Sequence, residues 1–330
     1  MGSHEIRALV CTAHGDRDVL QLQQLRLDDP GPGEIQVRIA ASGVNFVDVY
    51  QRQGTYPLRP PFVLGSEGAG TVVAVGTGVS GVAEGDVVAW GHGLGSHADA
   101  LNLAADSVVP VPDGVDVEIA AGAMLQGMTA HYLVTSTYPV QPGDSVLVHA
   151  AAGGVGQLLV QLAKARGATV IGTVSTAQKE AVARAVGAHQ VIRYETLSTD
   201  ELVAEVRRRN HDAPVSVVYD GVGQATFDAS LAVLAPRGML VLFGASSGQV
   251  PPVDPQRLNR GGSLYLTRPT LANYTATRDE LLWRGTEILL AIGNGTLRVD
   301  IGGRYPLGNA AKAYDDLENR RTTGKLILQP

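Results

Sequence analysis

The sequence predicts an α/β protein: a small, mostly antiparallel, barrel-like β domain followed by a doubly wound parallel sheet. Three observations predict it. Up to about residue 125, short apolar runs are cut by Gly/Pro turns such as Asp29-Pro30-Gly31-Pro32-Gly33. From about residue 126, near-continuous apolar strands alternate with helical patterns, as expected when helices cover both faces of a sheet. Finally, the apolar run Val146-Leu147-Val148 enters a small-residue turn, His149 to Gly156, that opens a helix over Gln157 to Arg166.

In the first part the clearest strands are Ile6–Val10, Glu34–Ala40, Gly70–Val75 and Asp86–Ala89. The second part reads as strand or helix in turn at 145–150, 157–166, 169–174, 178–186, 190–193, 200–208, 215–220, 225–234 and 238–243. A last strand is expected at Ser263–Leu266, then helices at 279–293 and 308–319 and a terminal strand at Lys325–Leu328. The tail is too short for a third domain. The expected division is therefore a β domain over 1–125, a nucleotide-type domain over 126–266, and a return segment over 267–330 that completes the first.

The 330 residues suffice for two cores. A hydrophobic content of 45% with 18% charged residues describes an ordinary globular chain. A net charge of −6 gives no basic field for nucleic acid or a membrane surface. Cys11 is the single cysteine, which excludes an intramolecular disulfide framework and a thiolate-rich zinc site. No apolar run reaches membrane-spanning length, and a cytoplasmic location is expected.

The turn Ala151-x-Gly153-x-x-Gly156 carries the chemistry. Small residues let backbone approach a pyrophosphate, and the first N–H groups of the helix face the anion. After the second strand of this unit, Thr169–Val174, comes Ser175-Thr176-Ala177-Gln178-Lys179, with no carboxylate before Glu180. A carboxylate there would accept from a ribose 2′-hydroxyl and repel a 2′-phosphate. Hydroxyls and a lysine favour NADPH over NADH.

Several stretches resemble the zinc-free quinone oxidoreductase (zeta-crystallin-like) branch of the medium-chain dehydrogenase/reductases. They are Gly43-Val44-Asn45-Phe46-Val47-Asp48-Val49-Tyr50 with Gly54-x-Tyr56-Pro57, His149–Gly156, Thr176–Lys179, Val217–Asp220, Phe243–Gly248 and Leu264–Pro269. The resemblance implies a GroES-like catalytic domain plus a Rossmann-type domain, NADPH as cofactor, and a homodimer. It implies that Gly153, Gly154, Val155 and Gly156 cradle the pyrophosphate. Ser175, Lys179 and Tyr194 would surround the 2′-phosphate, with Arg320 as a further cation. Phe243, Gly244, Ser246 and Thr267 would approach the nicotinamide ribose, Thr129 and Phe46 the nicotinamide side, and Asn45, Tyr50 and Tyr56 the acceptor.

Zinc-dependent cousins carry a Cys near Asn45 and a His where Gly65-Ser66-Glu67 has Ser, so no metal is expected. His92 and His97, in and after the glycine-rich segment Gly91–Gly95, read as surface-loop residues. Gln126 stands where many relatives have Lys, and His97 where many have Tyr; both are expected to alter the pocket mouth.

The expected reaction is hydride transfer from NADPH to a planar quinone, with Tyr50 or Tyr56 orienting the acceptor. Reduction of activated C=C bonds in enones, alkenals or substituted acrylates uses the same geometry, and a non-catalytic, crystallin-like NADPH-binding protein is a third reading. A hydrolase is excluded. Gly244-Ala245-Ser246-Ser247-Gly248 fits Gly-x-Ser-x-Gly but runs into Gln249-Val250-Pro251-Pro252 where a helix is needed, and no histidine follows His211.

Overall fold

The computed structural model describes residues 2–330. The chain divides into two compact units. One comprises the residues up to Met128 together with Tyr274–Pro330, the other Thr129–Asn273. The division falls inside the helix Val117–Tyr132.

In the first unit Ser3–Cys11 pairs antiparallel with Leu20–Asp28 and with Phe62–Val63. A larger sheet runs Ile301–Pro306, Lys325–Gln329, Glu34–Val44, Glu67–Val75, Val87–Trp90, Val109–Pro110, with Ala100–Ala104 also on Glu34–Val44. Only the pair Ile301–Pro306 with Lys325–Gln329 is parallel. Alternation in Glu34–Val44 sends Ile35, Val37 and Ile39 into a core with Ile6, Val72, Val88 and Trp90. A second cluster joins Leu9, Val44, Val49 and Leu64 to Leu307, Ala313, Tyr314, Leu326 and Leu328. The C-terminal segment thus completes the sheet begun near the N-terminus. Leu326 lies opposite Val44, which brings Lys325 beside Asn45.

The second unit is a six-stranded parallel sheet in the order Gln190–Arg193, Thr169–Val174, Ser145–Val148, Val215–Asp220, Leu234–Leu242, Tyr265–Thr267. By chain order this is 3-2-1-4-5-6, the dinucleotide-binding arrangement. Its strands are buried on both faces: Val146, Leu147, Val170, Ile171, Val217 and Val218 are all inaccessible or nearly so. The strand order reverses between Ser145–Val148 and Val215–Asp220, which are directly paired. A ligand crevice is expected outside the carboxyl ends of the strands at that reversal.

Candidate active site

The strand Ser145–Val148 ends in a turn whose geometry only small residues permit. Ala150 adopts φ 52°, in the left-handed region. Gly153 caps the helix Gly154–Ala165 in an extended conformation, with no side-chain cap. A Cβ on Gly156 would meet the Ala150 carbonyl oxygen at 2.2 Å and Ala151 Cα at 2.9 Å. First-turn amides of a helix have no intrahelical acceptor, so the N–H groups of Gly154, Val155 and Gly156 stand at the positive end of the helix dipole. This cradle fits a pyrophosphate.

A buried polar chain fixes the turn from below. His149 bonds Thr173 Oγ1 (2.8 Å) and Ser230 Oγ (3.0 Å). Ser230 and Thr226 donate to Asp220 Oδ2, both at 2.8 Å, while the amides of Val222 and Gly223 donate to Oδ1. With its proton committed to Asp220, the Ser230 oxygen accepts from His149 Nε2–H, and Nδ1 accepts from Thr173. Burial pushes the His149 pKa down and Asp220 opposes the shift. The next loop packs onto the same strand end: Phe243 N–H donates to Asp220 O and Ser246 N–H to Gly221 O. A Cβ on Gly244 would meet Gly221 O at 2.5 Å. Phe243, Gly244 and Ser246 therefore follow the fifth strand at its carboxyl end, and Thr267 ends the sixth. The structure has no helix directly after the Gly-x-Ser-x-Gly match, the next being Pro255–Arg260.

Ser175, Lys179 and Tyr194 gather at the carboxyl ends of two neighbouring strands. Val174 pairs with Arg193, and Tyr194 N–H donates to Val174 O. Thr176 caps the helix Ala177–Ala185 by accepting from Lys179 N–H at 3.2 Å. Lys179 sits in the first turn, where the helix dipole adds to its charge. The carboxylate next in sequence, Glu180, is held by Arg184 (2.8 Å) and Arg193 (3.3 Å). The local field is cationic, and Arg193 is a contributor the sequence did not single out. Thr129 is buried in the helix Val117–Tyr132, and Arg320 is exposed at φ 56° after the helix Ala310–Glu318.

In the first unit the helix Phe46–Arg52 is inside out. Its buried face carries Asp48 and Arg52 beside Val49, while Phe46 and Tyr50 remain half-buried. The Tyr50 ring lies 6.2 Å from Phe46 and 5.4 Å from Tyr56, which is 39% exposed. Arg52, fully buried, makes a bidentate pair with Glu318 at 2.9 and 3.0 Å. The helix thus spends its polar groups inward and leaves the Tyr50 ring half-buried beside Tyr56, while Phe46 also packs on the cluster of Leu9, Val44 and Leu328.

Asn45 begins this helix, yet its amide faces inward. Nδ2 donates to Glu67 Oε2 (2.7 Å) and Gly43 O (3.2 Å); Oδ1 accepts from Lys325 Nζ (2.7 Å) and Gln126 Nε2 (3.2 Å). Next to it Asp48 accepts from Asn45 N–H (2.8 Å), Tyr314 OH (3.0 Å) and Ser66 Oγ (3.3 Å). Tyr314 OH in turn bonds His97 Nε2 (2.8 Å), and His97 Nδ1 bonds Ser42 Oγ (2.8 Å). Burial raises the Asp48 pKa to about 7, against the lowering effect of the Asn45 amide, Tyr314 and Lys325. Burial, then the Lys325 charge, lowers His97 to about 3, so it is neutral.

This corrects one expectation. His97 is not a surface-loop residue: it is fully buried on Ser42 and Tyr314. The glycine-rich segment ahead of it crosses the strand Phe62–Val63 and the Gly65 turn, and Gly65, at φ 99°, leaves space that the imidazole fills. His92 is exposed, as expected of a loop. Gln126 is half-buried and spends its amide on Asn45. Sequence reasoning missed Asp48, Glu67, Tyr314 and Lys325 as a cluster. The available signal was a charged residue inside an apolar run, as Asp48 between Val47 and Val49 or Lys325 ahead of Leu326-Ile327-Leu328. Among the described residues no group of three or more His, Cys, Asp or Glu is arranged to hold a metal. Nor is any helix among them long and apolar enough to cross a membrane.

Residues 31–140 match the family described as alcohol dehydrogenase GroES-like domain, and residues 154–277 that described as zinc-binding dehydrogenase. The chain is 43% identical over 320 residues to a quinone oxidoreductase of Pseudomonas aeruginosa, covering 96% of this chain and 98% of that one. It is 38% identical to a 2-haloacrylate reductase of a Burkholderia species, covering 98% and 99%. A mycobacterial protein solved in complex with NADPH superposes with a TM-score of 0.95 at 48% identity, covering 98% of this chain and all of that one. Likeness of this extent, on a fold with the 3-2-1-4-5-6 sheet, is decisive: the chain belongs to the quinone oxidoreductase family of the medium-chain dehydrogenase/reductases.

Proposed function

We propose that this protein is an NADPH-dependent quinone oxidoreductase that transfers hydride to a planar quinone without a metal. The inside-out helix Phe46–Arg52 carries the acceptor reading, because it sets the half-buried Tyr50 ring beside Tyr56 and Phe46 while its own charged groups are consumed internally. The likeness to the Pseudomonas aeruginosa quinone oxidoreductase and to the NADPH-bound mycobacterial structure supports it.

NADPH, when bound, supplies the hydride. The protein's part is to bind and orient. We assign pyrophosphate binding to Gly153, Gly154, Val155 and Gly156, the 2′-phosphate to Ser175, Lys179 and Tyr194 with Arg320 as a further cation, and the nicotinamide riboside to Phe46, Thr129, Phe243, Gly244, Ser246 and Thr267. Most of these cofactor residues lie in 126–266; Phe46 from 1–125, and Thr267 and Arg320 from the return segment 267–330, would complete the cofactor site, with the acceptor on 1–125. Tyr50 and Tyr56 flank the acceptor and offer hydroxyls to developing oxygen charge. Asn45, with both ends of its amide engaged, is proposed to set the base of that pocket.

Following loss of nicotinamide absorbance with 1,4-benzoquinone and with an α,β-unsaturated ketone tests the reading. Faster turnover of the quinone is expected. Faster turnover of the enone would favour reduction of C=C bonds, the second reading, which the 38%-identical 2-haloacrylate reductase supports. Tight NADPH binding with neither acceptor reduced would leave a non-catalytic binding protein.

A cytoplasmic homodimer is also proposed. The strand Tyr265–Thr267 ends the six-stranded sheet with Tyr265 56% exposed, and such an edge is a template for pairing with a second copy. Light scattering at twice the mass of one chain is expected; a single-chain mass refutes it.

A further inference from the structure

A buried cation stands behind the acceptor helix. Lys325, 2% exposed, places Nζ 2.5 Å from Glu67 Oε2 and 2.7 Å from Asn45 Oδ1. Glu67, wholly buried, also accepts from Asn45 Nδ2 at 2.7 Å and, through Oε1, from Leu125 N–H at 2.7 Å. Four backbone segments converge on one ion pair: the end of Glu34–Val44, the start of Glu67–Val75, the helix Val117–Tyr132 and the last strand.

The surrounding backbone is cleared for it. A Cβ on Gly43 would meet Glu67 Oε2 at 2.1 Å and Lys325 Cε at 2.8 Å, and one on Gly122 would meet Lys325 Cγ at 2.8 Å. Stability does not explain such an arrangement, because apolar residues of similar volume often replace a buried ion pair with no loss. What the pair does hold is geometry. Asn45 is the extended residue (φ −138°, ψ 156°) from which the helix Phe46–Arg52 starts, and its amide is gripped by Lys325 on one side and Glu67 on the other.

We propose that Lys325 and Glu67 are positioning residues for the acceptor. Through the Asn45 amide they fix the first turn of the helix Phe46–Arg52, and with it the orientation of Tyr50. The proposal rests on the acceptor role given to Tyr50 above.

The test uses the full chain with the double substitution Lys325→Met and Glu67→Gln, which removes both charges and leaves no buried ion unpaired. Two readouts are taken on variant and parent: kcat/KM for 1,4-benzoquinone beside the Kd for NADPH, and backbone hydrogen exchange over residues 45–52. Expected are a loss of about tenfold or more in kcat/KM, NADPH affinity within twofold, and exchange over 45–52 faster by about tenfold. Either readout staying within twofold overturns the proposal, as does an equal loss in NADPH affinity. If the parent reduces no quinone, the functional reading fails by itself and the exchange rates alone decide the clamp. Should the double variant not fold, Gly122→Ala displaces the Lys325 side chain without removing its charge, and the same two thresholds apply.

Discussion

The two units each bury a polar network beneath a proposed binding surface, and they differ in what the network supports. In the sheet unit, His149, Thr173, Ser230 and Asp220 hold a backbone turn, and the groups proposed to bind are main-chain amides. In the other unit, Asn45, Asp48, Glu67, His97, Tyr314 and Lys325 hold a helix, and the presented groups are side chains. The turn held by the first network is local, with its preceding strand and its helix continuous in sequence, although the network reaches from His149 to Ser230, 81 residues on. The second joins partners 266 and 280 residues apart. Backbone sites tolerate almost no added atom, whereas side-chain sites fail by degrees.

The sharpest way to break this comparison is at Gly156. Its Cβ would lie 2.2 Å from the Ala150 carbonyl, which cannot rotate away as a side chain would. Gly156→Ala should cost about 3 kcal/mol in local overpacking, weakening NADPH by over about 100-fold as measured by fluorescence titration. Unchanged affinity would remove the turn from the site.

The second prediction concerns charge inside the first unit. Folded Asp48 has its pKa raised to about 7, so from the unfolded value near 3.8 up to 7 the folded state carries the extra proton, and this group's contribution falls as pH rises. Folded His97 has its pKa lowered to about 3, so between 3 and 6.5 the unfolded state carries the extra proton, and stability is lost as pH falls. Between about pH 4 and 6.5 the two effects cancel in the parent. Asp48→Asn should therefore unmask a loss of about 1.4 kcal/mol per pH unit on acidification, and His97→Gln a gain of about the same slope. Urea unfolding at pH 6.5 and 4.5 checks both. Slopes of the same sign in the two variants would reject the assignment.

Neither network was legible in the sequence, but the turn that the first one supports was, and the reason follows from this geometry. Val146 to Gly156 announces itself because a strand, a tight turn and a helix start must be contiguous for amides to converge. The positions of Ser175 and Lys179 just past the second strand were legible because that strand's end is fixed by the same local alternation. Asn45 and Tyr50 were reachable only through family resemblance, and Lys325 not even then. Its role depends on the register that sets Leu326 opposite Val44, which no local pattern encodes. His97 was misread for a related reason: glycines on its N-terminal side suggest an exposed loop, but Gly65 on another segment makes the cavity that holds it.

At the cationic strand ends the comparison can be sharpened without disturbing the fold. Lys179 lies half-buried in a first helical turn, and Glu180 is already paired with Arg184 and Arg193. On the proposed assignment, Lys179→Ala removes a charge-assisted contact to the 2′-phosphate of roughly 1.5–3 kcal/mol. NADPH affinity should fall about 10- to 150-fold while NADH affinity holds. Equal losses for both cofactors would mean that Lys179 supports the helix rather than the 2′-phosphate.

The smallest effect belongs to Tyr50, where ring and hydroxyl can be separated. Its ring contacts Phe46 and Tyr56, so Tyr50→Phe keeps the aromatic surface and deletes only the hydroxyl. A neutral hydrogen bond is worth about 0.5–1.5 kcal/mol net, which predicts a two- to tenfold loss of kcat/KM for a quinone. Tyr50→Leu also removes the ring and should raise the quinone KM further, since stacking contributes about 0.5–1.5 kcal/mol beyond area. If Phe and Leu behave alike, the hydroxyl alone acts. If Phe matches the parent and Leu does not, the helix is a flat aromatic wall, and its buried polar residues serve only to keep that wall in place.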